Sequence, residues 1–137
     1  MKKFILFGLA VLCVLAITFG CKKHKDGGGC GETALKVTTS PADGTVDPPA
    51  PGPTFPLVVT VTDGMPAAGV SIAVTARKDS TNSTPFFTET RDNVTLTTSN
   101  FTITNTPTGV SCIVETVVTS RSCNTNQWKG SYRYSGK

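Results

Sequence analysis

Between Leu35 and Tyr134, apolar side chains recur at every second residue in one short run after another, and no stretch repeats at helical spacing. The runs are Leu35 and Val37; Leu57, Val59 and Val61; Val70, Ile72, Val74 and Ala76; Val94 and Leu96; and Phe101 and Ile103. Successive side chains on a strand point to opposite faces, so each run lines one face and addresses one core. Threonine supplies 22 and valine 12 of the 106 residues from Glu32 to Lys137. Such β-branched content packs well on pleated strands and loses rotamer freedom in helices.

Two later runs extend the pattern. Val110, Cys112, Val114, Thr116 and Val118 share a face while Ile113 and Val117 make the other face apolar too, as in a central strand. Trp128, Gly130, Tyr132 and Tyr134 alternate with Lys129, Ser131 and Arg133, which predicts a half-buried last strand. Turn residues separate the runs at Pro41–Gly44, Asp63–Gly64, Asp79–Pro85, Asn105–Gly109 and Asn124–Asn126. Six or seven short strands at this spacing predict an all-β, antiparallel sandwich, and the length suits one domain with one core.

The stretch Asp47–Pro56 holds five prolines. Proline cannot donate to a ladder, so this segment is expected to be an extended crossover or to cover a sheet edge, in preference to serving as a ligand for a proline-binding module.

The N-terminus has a different character. Lys2 and Lys3 precede sixteen uncharged residues, Phe4 to Phe19, then Gly20-Cys21 and the basic run Lys22-Lys23-His24-Lys25. A charged start, an apolar stretch shorter than the ~20 residues of a membrane helix, and a small residue before the cut are the parts of a secretory signal. Gly20-Cys21 resembles the lipobox of bacterial lipoproteins, and the following Cys-Lys-Lys is similar to surface lipoproteins of Bacteroidota-type bacteria. Thr18 and Phe19 depart from the usual aliphatic and small residues. The resemblance implies acylation of Cys21 as the mature N-terminus and a bacterial cell-envelope location, in the outer membrane, with the membrane as partner through the acyl chains. Residues 1–20 then form the signal peptide, 21–31 a flexible tether, and 32–137 the folded domain.

Within that domain, Ser40-Pro-Ala-Asp-Gly-Thr45 and Asp63-Gly-Met-Pro-Ala-Ala-Gly-Val70 resemble turn signatures of bacterial immunoglobulin-like domains of surface proteins. The resemblance implies an immunoglobulin-like antiparallel β-sandwich of about seven strands. It carries no catalytic residue with it.

Of five cysteines, Cys13 would leave with the signal and Cys21 would be lipidated. Cys30, Cys112 and Cys123 remain, enough for one internal bridge. Cys112 and Cys123 bracket a predicted strand and so lie far apart. In a seven-strand antiparallel sandwich the first strand begins at the end where the sixth finishes, which pairs Cys30 with Cys123 and leaves Cys112 a buried thiol.

Charge and composition exclude several chemistries. The formal +4 arises before residue 32; from Glu32 onward eight basic residues meet eight acidic ones. A neutral domain with no clustered basic face is not expected to bind nucleic acid. His24, the only histidine, lies in the tether, so no Ser-His-Asp or Cys-His arrangement has a base. Glu89 and Glu115 are nominal candidates for a carboxylate pair, but both are read as outward, solvated strand residues. Neither a phosphate loop nor a calcium loop is present, so no catalytic residue, cofactor or metal is expected. One constellation could bind something: Trp128, Tyr132 and Tyr134 share a strand face and could form a platform for sugar rings, with core packing as the ordinary alternative. The reading is a lipid-anchored structural or adhesive module without enzymatic activity. Its alternatives are a carbohydrate-binding module or an accessory subunit of an envelope assembly, with a surface glycan or protein as partner.

Overall fold

The computed structural model describes Asp26, Gly27 and residues 30–137; the predicted signal and Cys21 lie outside them. Nine strands are described: β1 (Asp26–Gly27), β2 (Glu32–Thr33), β3 (Lys36–Ser40), β4 (Phe55–Asp63), β5 (Val70–Lys78), β6 (Pro85–Val94), β7 (Thr98–Ile103), β8 (Ser111–Ser120) and β9 (Gln127–Ser135). No helix occurs among the described residues. One antiparallel sheet has the order β3-β4-β7 and the other β6-β5-β8-β9, while β1 and β2 make a short ribbon ahead of them. These seven strands, β3 to β9, form the antiparallel sandwich that the alternation predicts, with the seven-strand count that the immunoglobulin-like resemblance implies.

The core lies between the two sheets. Leu57, Val59 and Val61 of β4, Ile72, Val74 and Ala76 of β5, Phe101 and Ile103 of β7, and Val114 and Val118 of β8 are all buried. β8 runs between β5 and β9, and Ile113 on its outer face is buried as well, in keeping with a central strand.

The Val94 and Leu96 pair does not form a core run. Leu96 lies beyond β6 and is 75% exposed, whereas the strand itself begins at Pro85, inside the expected turn. Val74 pairs with Glu89 and Ile72 with Arg91, so the inward side of β6 carries charge. The expectation of an outward Glu89 is corrected by the same register. β6 is an edge strand, where inward charges, bulges and a leading proline discourage pairing with another chain. Arg91 Nε donates to Glu89 at 2.7 Å, and its guanidinium carbon sits 4.1 Å from the Phe101 ring centroid, closing this side of the core with a cation–π contact. A register shift falls between Val70 and Ile72, opposite Asn93, whose φ of 57° is left-handed.

The opposite edge is closed by the chain between β3 and β4. Leaving β3 through a cis Ser40–Pro41 peptide, it crosses to the other sheet and runs along β9. Gly44 N–H donates to Ser131 O at 2.7 Å, Arg133 N–H to Thr45 O at 2.9 Å, Asp47 N–H to Arg133 O at 2.8 Å and Ala50 N–H to Ser135 O at 3.2 Å. Val46 with Arg133 and Ala50 with Gly136 form parallel bridges. On the crossover side the donors are Gly44, Asp47 and Ala50, and the prolines occupy positions where no N–H is needed. Pro56 fits within β4 because β3 pairs only as far as Val58, leaving β7 alone beside it.

At the other pole, Cys30 and Cys123 are disulfide-bonded with Cα atoms 5.9 Å apart, as strand parity predicts, and Cys112 is a free, buried thiol. Buried Asn126 joins the same junction: its Oδ1 accepts from Leu35 N–H at 3.1 Å, and its Nδ2 donates to Thr33 O and Glu32 Oε2 at 3.0 Å. Gly27 pairs with Glu32 and Asp26 with Thr33, and Cys30 is bonded to Cys123, so these residues of the stretch read as a flexible tether are held to the domain. Replacing Cys30 and Cys123 by serine is expected to lower the free energy of unfolding by about 4 kcal/mol, because the bridge closes a loop of 93 residues. Denaturant unfolding measures it, and a loss below about 1 kcal/mol would contradict the stabilising role.

Candidate functional site

β9 turns Tyr132 and Tyr134 inward, and β4 brings Phe55 against Tyr134 at the pole where the crossover runs along β9. Phe55 and Tyr134 ring centroids are 4.5 Å apart at 57°, and those of Tyr132 and Tyr134 are 5.9 Å apart at 39°. Beside these rings lies a cleft of about 290 Å³, bordered further by Pro41, Pro48, Pro56 and Asp47. Crossover prolines form its roof and aromatic rings part of its floor. The cleft is thus mostly apolar with a few polar groups, the usual make-up of a small-molecule pocket.

The two phenols differ in their partners. Tyr134 Oη and Thr106 Oγ1 are hydrogen-bonded at 2.8 Å. Burial pushes the Tyr134 hydroxyl up to about 12, opposed by the Thr106 bond and helped by the nearby Cys112 thiol. Tyr132 Oη is buried without a hydrogen-bond partner. Its ionisation is raised well above the ordinary phenol value, first by burial and then by Tyr134 and the Asp47 charge. Asp47 is fixed by its backbone bond to Arg133, and among the described residues its carboxylate takes part in no ion pair.

Trp128, Tyr132 and Tyr134 follow the core-packing alternative and do not present a platform for sugar rings. These residues do share one face of β9, but that face is the inner one: both tyrosines are 3% exposed and belong to the core. Trp128 is half-buried against the core and folds across Gly130, where an added Cβ would come within 2.2 Å of indole Cη2. Glycine at 130 leaves the room that the indole fills.

Glu89 and Glu115 are not brought together. They pair with the consecutive residues Val74 and Thr75 of β5 and therefore point to opposite faces of the sheet. Glu115 receives Arg77 Nε at 3.3 Å on the outer face, beside a shallow open depression that also includes Thr75, Val117 and Lys129. Among the described residues no group of three or more His, Cys, Asp or Glu could hold a metal. Cys21 and His24 lie outside the described residues. Asp47 and Phe55, which border the cleft, carry no sequence signal of their own: both stand inside the proline-rich stretch and read only as crossover.

Tyr132 and Tyr134 are the only tyrosines of the chain, which makes their titration legible. Both folded-state values lie above the unfolded value of 10, so their stabilising contribution is intact below pH 10 and is lost as pH rises toward 12 and beyond. Phenolate absorbance of the folded chain is expected to stay flat through pH 10 and to rise there only on unfolding; a phenolate forming at pH 10 in the folded chain would contradict the burial. Tyr132→Phe, which removes an unpartnered buried hydroxyl, is expected to leave unfolding free energy unchanged or raised by up to about 1 kcal/mol, while Tyr134→Phe lowers it by about 1 kcal/mol.

Compared with protein-family models, curated proteins and solved structures, the chain matches none.

Proposed function

We propose that the chain is an exported, lipid-anchored cell-envelope protein whose immunoglobulin-like domain is a structural or adhesive module without catalysis of its own. The observation that carries this reading is the Cys30–Cys123 bridge. Structural disulfides persist in oxidising compartments, which agrees with the export signal read in residues 1–20. Cys30 stands nine residues after Cys21 and is locked to one pole of the sandwich. An acyl anchor at Cys21 therefore holds that pole toward the membrane. The crossover, the cleft and the β5–β6 turn then face away from it. Closed or guarded sheet edges support the same reading, since a module displayed at a surface must resist edge-to-edge association.

Metabolic labelling with an alkyne fatty acid tests the anchor. Label is expected on the full chain and in the membrane fraction, with both falling to background in Cys21→Ala; a labelled, membrane-bound Cys21→Ala chain would refute acylation there. Protease treatment of intact cells separates display from retention. Release of the domain supports an adhesive surface module, and its protection until lysis contradicts one.

A further inference from the structure

The cleft under the crossover combines three features. Its border is apolar and aromatic, through Phe55, Tyr132, Tyr134 and proline rings. One carboxylate, Asp47, stands at it with no cationic partner among the described residues. The Tyr132 hydroxyl is buried with no partner although hydroxyls can both donate and accept. An unpaired hydroxyl of this kind is costly to leave unmet, and a carboxylate beside apolar surface favours a positive counterpart.

We propose that this cleft binds a small protonated amine with a compact apolar body. The ammonium would meet the Asp47 carboxylate and supply the N–H that Tyr132 Oη lacks, while the apolar body lies between Phe55, Tyr134 and the crossover prolines. A positive charge beside aromatic rings gains further from their quadrupoles. A volume of about 290 Å³ is at the lower end for ligand pockets and suits a body of roughly ten non-hydrogen atoms. Neutral isosteres lose the ion pair and anions meet like charge. The site does not depend on whether Cys21 is acylated.

Three probes of one shape test it: benzylamine, benzyl alcohol and benzoate, titrated into the full chain in nonionic detergent and followed by amide chemical shifts. Benzylamine is expected to saturate with shifts at Asp47, Ala50, Phe55 and Tyr132, benzyl alcohol to bind at least about tenfold more weakly, and benzoate not to bind. Asp47→Asn should reduce benzylamine to the level of benzyl alcohol, and Tyr132→Phe should weaken benzylamine by about fivefold, with the dispersion of the spectrum reporting that each variant is folded. The proposal is overturned if the three probes bind alike, if Asp47→Asn leaves benzylamine unchanged, if shifts gather at Glu89, Asp92 or Glu115 instead, or if the cleft takes no probe and water alone meets Tyr132.

Discussion

The hydrogen bonds between the crossover and β9 are the interaction on which the rest of the structure depends. Without them β9 would present an open ladder along Ser131, Arg133 and Ser135, and the sandwich would gape on the side of Tyr132 and Tyr134. Gly44, Asp47 and Ala50 supply the donors, spaced three apart, while the prolines between and after them stiffen the segment and offer no stray N–H. Proline density, which weakens an ordinary strand, here suits a strand-like segment that needs few bonds and fixed direction. The same segment roofs the cleft, so edge closure and the candidate site have one physical origin.

The two edges of the larger sheet are handled differently. β9 is covered, whereas β6 is left uncovered and protected by its own residues: Pro85 at its start, a bulge at Asn93, and the Glu89–Arg91 pair turned inward. The Arg91 guanidinium lies over Phe101 and so shields the core while keeping polar groups at the rim. An exposed pair of this type contributes little by attraction alone, and its effect is to make pairing with a foreign strand unfavourable.

These devices explain what could and could not be read in the sequence. β4, β5, β7 and β8 are legible because their inward positions are apolar, with Ser99 in β7 and Thr116 in β8 among the exceptions. β6 is not, since Glu89 and Arg91 hold the inward positions that periodicity expects to be apolar, and the nearest apolar pair, Val94 and Leu96, lies at and beyond its end. For β9 the alternation identifies which residues share a face, with Trp128, Tyr132 and Tyr134 together, but period two does not say which face meets solvent. The crossover and β4 decide that by covering it. Strand parity alone pairs Cys30 with Cys123, because it needs only the number of strands. Asp47 was illegible as a site residue, since its role arises from where β9 and Phe55 come to lie around it.

A consequence of the topology is a division between poles. The chain enters at the bridged pole, where Asn126 ties the entrance to the β8–β9 turn, and the cleft opens at the other. Native-state hydrogen exchange at the crossover tests the closure that this account rests on. The amides of Gly44, Asp47, Ala50 and Arg133 are predicted to exchange slowly, within about tenfold of those in β8, because each is bonded within the β9 ladder. Exchange of these amides at the rate of open loops, with β8 still protected, would show that the crossover does not close the sheet and would remove the roof of the cleft.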